Sequence, residues 1–260
     1  MKKDFEPVEA QVNAKINIGL QIVRKRPDGY HDLQTVFYPT DYFTDFLRIS
    51  PSEQEIVFRM ESVEDLGDAD NNLCVKAFRL LQKDFGISNV EIFLRKGIPS
   101  GAGLGGGSAD AAFTLKMLRD IFQLPVDEEK IMVDYALRLG SDVPFFLYNK
   151  PMYATGRGEV MTPIDLDLSP YRLKIVKPDI HISTKEAYAG VTPRESDIFL
   201  PEILRNSPED WRNLVVNDFE ESLFKKIPAL KTVKEALFHE GALYASMSGS
   251  GSAFFGVFGE

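Results

Sequence analysis

The sequence is poor in side chains that form disulfides or bind metals. Its 260 residues hold one cysteine, Cys74, and three histidines, His31, His181 and His239. A single thiol excludes a disulfide framework and any multi-cysteine zinc or iron–sulfur site. The histidines lie far apart and none forms an HExxH pair. No stretch approaches the roughly 18 apolar residues of a membrane span. Basic residues are in deficit: Lys plus Arg number 30 against 39 Asp plus Glu, a net charge of −9. Phosphate backbones and anionic lipid are repelled by that balance, so no nucleic-acid or membrane partner is expected. Repeats, low-complexity tracts and long Pro/Gly/Ser linkers are missing. Met1-Lys2-Lys3-Asp4 has no apolar run behind it, so no secretory signal is expected. With the lone thiol, this points to a cytoplasmic location.

What remains is an ordinary globular composition, 44% hydrophobic and 27% charged. The length suits one large domain or two moderate ones. Val12, Ala14, Ile16, Ile18, Leu20 and Ile22 alternate with Asn13, Lys15, Asn17, Gly19 and Gln21, a strand pattern with one apolar and one polar face. Lys15 and Asn17 then share a side, about 7 Å apart along the strand. A solvated face and a functional face both fit that pattern. Further strands are expected at 91–95, 171–177 and 253–258. Helices are expected at 73–85 behind Asn72, 128–139 behind Asp127, 109–119, and 229–240 behind Pro228. A capping box at Ser183–Glu186 opens a short helix, and Ser207-Pro208-Glu209-Asp210 has the marks of another start. The order lacks a regular βαβ cadence, which predicts an α+β fold. A domain boundary is expected in the turn-rich stretch 149–158, dividing the chain into 1–153 and 154–260.

The sharpest local signal is Pro99-Ser100-Gly101-Ala102-Gly103-Leu104-Gly105-Gly106-Gly107-Ser108-Ala109, with five glycines in seven residues followed by a helix-forming run. A mobile surface loop is one reading. The other is an anion site: glycines let backbone N–H groups approach a ligand, and the helix behind presents unpaired amides and a positive dipole end. The loop is not a Walker A motif, because no Gly-Lys-Ser/Thr follows. Gly101-x-Gly103-x-x-Gly106 matches GxGxxG formally, but it sits off a strand end and lacks the downstream acid of a dinucleotide fold. Protein-kinase motifs are also missing.

Two other segments have two readings each. Asp142, in Leu139-Gly140-Ser141-Asp142-Val143-Pro144-Phe145-Phe146, either caps the next turn or holds a carboxylate at the rim of the core. Ser246-Met247-Ser248-Gly249-Ser250-Gly251-Ser252 is either a strand-entry turn or backbone packed close to the first glycine loop.

Together, AKINIGL at 14–20, RPDGYHDLQT at 26–35, GLGGGSAD at 103–110 and GSDVPFF at 140–146 resemble the GHMP superfamily of small-molecule kinases. That group includes galactokinase, homoserine kinase, mevalonate kinase and phosphomevalonate kinase. The N-terminal motifs are similar to the branch acting on cytidyl-diphosphate methylerythritol in the non-mevalonate route to isoprenoid precursors. The resemblance implies a two-part fold: an N-terminal domain like the second domain of ribosomal protein S5, and a ferredoxin-like C-terminal domain. The family's last strand can return to the first domain. It also implies ATP-dependent phosphorylation of the 2-hydroxyl, with Mg2+ accompanying ATP.

By the same resemblance, Lys15 and Asp142 are the catalytic pair, with Asp142 accepting the hydroxyl proton. Residues Pro99, Ser100, Gly101, Ala102, Gly103, Leu104, Gly105, Gly106, Gly107, Ser108 and Ala109 wrap the triphosphate. Asn17, Tyr30, His31 and Phe37 form the substrate site, and Tyr188 stands where a second stacking plate is common. Without the motif, Tyr30 and Phe37 would read as core. Ser108 and Asp110 are both open as metal ligands, so the metal site is unknown. A homoserine- or mevalonate-type acceptor predicts no Tyr30-His31 cluster, a binding module without turnover predicts no Lys15 and Asp142, and a dehydrogenase predicts a parallel sheet.

Overall fold

The computed structural model describes residues 4–63, 69–127 and 129–259. In chain order the elements are β1 (Val8–Lys25), β2 (His31–Pro51), β3 (Val57–Glu61), α1 (Leu73–Phe85), β4 (Val90–Arg95), α2 (Gly106–Phe122), α3 (Lys130–Leu139) and α4 (Val143–Tyr148). Then follow β5 (Met152–Thr155), β6 (Val160–Pro163), β7 (Arg172–Val176), α5 (Thr184–Ala189), α6 (Leu200–Ile203), α7 (Phe219–Lys226), α8 (Pro228–His239), β8 (Tyr244–Met247) and β9 (Phe254–Phe258). Strands and helices are mixed in the α+β manner.

The chain forms two compact units. One takes the chain up to Ala14, Phe43–Ser100 and Gly105–Asn149; the other takes Lys15–Tyr42, Gly101–Leu104 and the chain from Lys150 onward. The passage at Asn149/Lys150 lies beside the expected boundary at 153/154. The chain also passes between units within β1, within β2 and within the glycine loop.

In the first unit β3 runs parallel to β4, and β4 runs antiparallel to the end of β2, with Leu47 opposite Leu94 and Ile49 opposite Ile92. Helices α1 to α4 pack on one another. The Asn72 side chain caps α1 by accepting the Cys74 N–H at 2.8 Å, and Gly86 ends it at φ 62°. Its apolar face buries Cys74, Val75, Ala77, Phe78 and Leu81. Before α3, the Asp127 carboxylate accepts the Glu129 N–H at 3.3 Å. The expected first residue of that helix, Glu128, lies outside the described residues.

In the second unit the opening of β2 pairs with β5, and β5 with β6, all antiparallel; Thr35 faces Ala154 and Phe37 faces Met152. A separate antiparallel sheet has the order β7–β9–β8. Phe219 and Leu223 of α7, Leu230 and Leu237 of α8, and Met247 and Phe254 share one core there. Both halves of the Ser183–Glu186 capping box form at α5. After Ser207 the structure departs from a helix. It makes a single 3-10 turn, Pro208–Trp211, in which Trp211 is buried and donates its indole N–H to the Asn206 carbonyl at 3.0 Å. Satisfying that indole inside the core takes precedence over extending a helix from an uncapped start.

The polar face of β1 is not solvated. Asn13, Lys15, Asn17 and Gln21 are between 3% and 6% exposed. Buried polar groups need partners, and those partners build the site.

Candidate active site

In the second unit, β1 carries an ordered row of polar contacts. The Lys15 ammonium donates to Asn17 Oδ1. Asn17 Nδ2 donates to Thr35 Oγ1 at 3.1 Å, and Thr35 donates to the Gly19 carbonyl. The same ammonium lies 4.9 Å from the centre of the Phe37 ring, a cation–π distance. Lys15, Asn17 and Phe37 therefore lie together, and Phe37 is 3% exposed. Thr35 is a participant that sequence reasoning missed; its place between Leu33 and Phe37 on β2 was the only signal.

The glycine loop divides between the units. Of its residues, Gly101–Leu104 belong to the second. The Leu104 carbonyl accepts the backbone N–H of Lys15 at 3.0 Å. Gly103 sits at φ 79°, and a Cβ there would overlap the Ser248 carbonyl oxygen; one at Gly251 would overlap the Ala102 backbone. The 246–252 segment thus takes the second of its two readings, backbone packed close against the first glycine loop. Ser248 fastens it: its hydroxyl donates to the Gly103 carbonyl at 2.9 Å and accepts the Asn17 N–H at 3.1 Å. The Ala253 N–H donates to the Ala102 carbonyl at 3.1 Å.

The rest of the loop belongs to the first unit. Gly105 begins α2 at φ 75° with no side-chain cap. The N-cap thus offers the first amides of this long helix no side-chain partner, an arrangement that suits anion recognition at a helix start. Helix α2 starts at Gly106, three residues earlier than the sequence pattern predicts, because Gly106 and Gly107 can still take helical dihedrals once the turn is set by Gly105.

Behind this helix start lies an ion cluster that sequence reasoning missed. Lys96 bridges Asp45 and Asp110, the latter at 2.7 Å. Asp45 also accepts the N–H groups of Gly97 and Ile98, at 2.6 and 2.8 Å. A Cβ at Gly106 would lie 3.3 Å from the Lys96 ammonium. Burial works against that ammonium, yet the two carboxylates hold its pKa above the usual lysine value. Burial pushes the Asp110 carboxyl up to about 8, against the opposing pull of Lys96. Its Oδ1 is buried without a hydrogen-bond partner. No local signal marks Asp45, whose partner lies 51 residues away.

Asp142 is in the first unit, at the start of α4, and makes no side-chain cap to that helix. Pro99, Ser100 and Gly105–Ala109 are in the same unit. In the second unit His31 and Tyr188 pair with ring centres 4.9 Å apart and planes 30° apart, and Tyr188 meets Phe219 edge-on at 4.9 Å. Burial, then the charge of Lys25, lowers the His31 pKa. Tyr30 is 57% exposed and carries the Arg157 guanidinium 5.0 Å over its ring. Among the described residues no three His, Cys, Asp or Glu side chains gather to hold a metal. The Asp110 carboxylate is already engaged by Lys96. No helix of the described residues is long and apolar enough to cross a membrane.

A glycine loop leading into an uncapped helix start, joined to an α+β frame, defines a small-molecule kinase of the GHMP class. Family models agree: the GHMP kinases N terminal domain matches residues 72–150, and the GHMP kinases C terminal model matches residues 199–260. The 4-diphosphocytidyl-2-C-methyl-D-erythritol kinase of Bacteroides fragilis is 48% identical over 95% of this chain and 90% of the relative. The same-named protein of Porphyromonas gingivalis is 47% identical over 95% and 91%. A crystal structure of 4-(cytidine 5'-diphospho)-2C-methyl-D-erythritol kinase is 35% identical, with a TM-score of 0.82 over 96% of this chain and 90% of that one. Homoserine kinase of Cytophaga hutchinsonii, at 18% identity and a TM-score of 0.72 over 98% and 87%, shares the fold. The chain belongs to the 4-diphosphocytidyl-2-C-methyl-D-erythritol kinase family.

Proposed function

We propose that this enzyme transfers the γ-phosphoryl group of ATP to the 2-hydroxyl of 4-diphosphocytidyl-2-C-methyl-D-erythritol, giving the 2-phosphate and ADP. This is a step of the non-mevalonate route to isoprenoids. The observation that carries the proposal is the 48% identity to a protein of that name along 95% of the chain.

Phosphoryl transfer asks a protein to position the donor, neutralise charge and orient the hydroxyl. Pro99 to Ala109 cradle the triphosphate through backbone N–H groups. Asp142 takes the proton of the acceptor hydroxyl, and Lys15 supplies positive charge to the transferring group. Tyr30, His31 and Tyr188 recognise the cytosine by stacking and edge hydrogen bonds. Asn17 and Phe37, which lie beside the Lys15 ammonium, complete the acceptor side. Magnesium bound with ATP would neutralise phosphate charge, and it is an ion that usually keeps few protein ligands. The division 1–153 and 154–260 separates the nucleotide-handling part from the ferredoxin-like part. ATP and a nucleotide-linked acceptor, together with a lone thiol, favour a cytoplasmic place of action without nucleic-acid partners.

ADP release by the purified protein tests the assignment. The cytidyl-diphosphate substrate should support turnover, with homoserine and mevalonate at background. Turnover with either of those instead would overturn it.

A further inference from the structure

We propose that Thr35 is a positioning residue for the phosphoryl-transfer lysine, acting through the side-chain amide of Asn17. The inference rests on the role given to Lys15 above.

Every link in the row on β1 can run in one sense only. A backbone carbonyl can only accept, so the Thr35 proton goes to the Gly19 oxygen. That leaves the Thr35 oxygen as acceptor, and Asn17 must present its NH2 group to it, at 3.1 Å. The Asn17 carbonyl oxygen is thereby turned toward Lys15, whose ammonium can only donate. Thr35 therefore decides which end of the Asn17 amide the lysine meets. With the amide reversed, two N–H dipoles would confront the ammonium.

The row ends at the Gly19 carbonyl, on a residue at φ 67°. The next residue, Leu20, exchanges backbone hydrogen bonds with Val216 and Asp218, at 2.9 and 2.8 Å. Added bulk at Gly19 would press on Val215 and Leu200. Thr35 is wholly buried, and Lys15 and Asn17 are each 3% exposed, so water does not readily stand in for a lost partner. Thr35 is also held in the β2–β5 ladder opposite Ala154, which leaves its hydroxyl little freedom to seek another acceptor.

The test uses Thr35→Val, which keeps the shape and removes the hydroxyl, with Thr35→Ser to restore it. Turnover of Thr35→Val should fall about tenfold or more, the rate equivalent of ~1.4 kcal/mol. The KM for ATP should stay within about twofold, and Thr35→Ser should recover most of the turnover. The Asn17 side-chain amide resonance, assigned by its loss in Asn17→Asp, should move in Thr35→Val and return in Thr35→Ser. A general packing defect would produce no such selective return. If Thr35→Val does not fold, Thr35→Ala is scored by the same criteria. Near-parental turnover in Thr35→Val, with Lys15→Ala inactive, overturns the proposal and leaves the role of Lys15 standing. A fully active Lys15→Ala overturns that role instead, and with it the link from Thr35 to catalysis. An Asn17 resonance unmoved in Thr35→Val overturns the orientation argument in either case.

Discussion

Ser248 donates its hydroxyl to the Gly103 carbonyl at 2.9 Å while accepting the Asn17 N–H at 3.1 Å, so one side chain ties the glycine loop to β1. Ser248→Ala removes both bonds at a fully buried position. The expected result is a loss of about 1–3 kcal/mol in stability from the unsatisfied groups. The KM for ATP should rise several-fold, because the turn proposed to hold the triphosphate loses its tether. Urea titration and ATP saturation curves check the two effects; an unchanged KM would separate the tether from nucleotide binding.

Gly251→Ala should be more damaging than its size suggests. The new methyl would occupy the position of the Ala102 backbone, which cannot rotate aside. Overpacking of this kind costs about 1–3 kcal/mol. Comparison with Gly259→Ala isolates the steric cause, since neither glycine sits at a positive φ and a Cβ at Gly259 would meet only the end of the Leu243 side chain, at 3.8 Å. Equal destabilisation of the two variants would contradict the steric account.

The Asp45–Lys96–Asp110 cluster predicts a pH dependence with a definite sign. Burial raises the Asp110 carboxyl from about 4 in the unfolded chain to about 8 in the folded one. Between those values the native state holds a proton that the unfolded chain has released. That contribution to stability is complete below pH 4 and is lost as pH rises through 8. Asp110→Asn should flatten this part of the profile. Denaturation midpoints from pH 5 to 9, parent against variant, measure it; parallel profiles would mean that Asp110 is ionised throughout.

Asp142→Asn should reduce turnover by about 10²–10⁴-fold, the usual worth of a positioned general base. ATP binding, followed by equilibrium dialysis, should persist. Turnover near the parental level would remove the proton-accepting role.

Tyr30→Ala should raise the KM for the cytidyl substrate by roughly tenfold or more, from ~1–3 kcal/mol of base stacking, with the KM for ATP little changed. Tyr188→Ala should do the same and also open one side of His31, moving the histidine pKa back up toward its ordinary value. Proton NMR titration of His31 reads this directly.

Much of this architecture is legible in local pattern, because caps and periodicity are local devices. Asn72, Ser183 and Gly86 set helix ends through neighbours a few residues away. The glycine loop was legible because its composition is extreme. Asp45, Thr35 and Ser248 were not, since each acts on partners far along the chain: Asp45 on Gly97 and Ile98, Thr35 on Gly19 and Asn17, Ser248 on Gly103 and Asn17. The polar face of β1 shows the same limit. Alternation reports which side chains share a side and says nothing about whether water or protein covers them. The segment after Ser207 departed from its sequence signals because the needs of a buried tryptophan outweighed the helix-start residues Ser207 to Asp210.

Cys74 gives the molecule a ready reporter. The thiol is fully buried in α1, and burial, with the Asp110 charge beside it, pushes its pKa up, so the reactive thiolate is suppressed in the native state. A colourless thiol reagent that releases a dye on reaction would then register only excursions that unseat α1, one flash per molecule. Because the sequence has no other cysteine, a second one introduced at any surface position could carry a fluorophore without competition, provided labelling is done under native conditions.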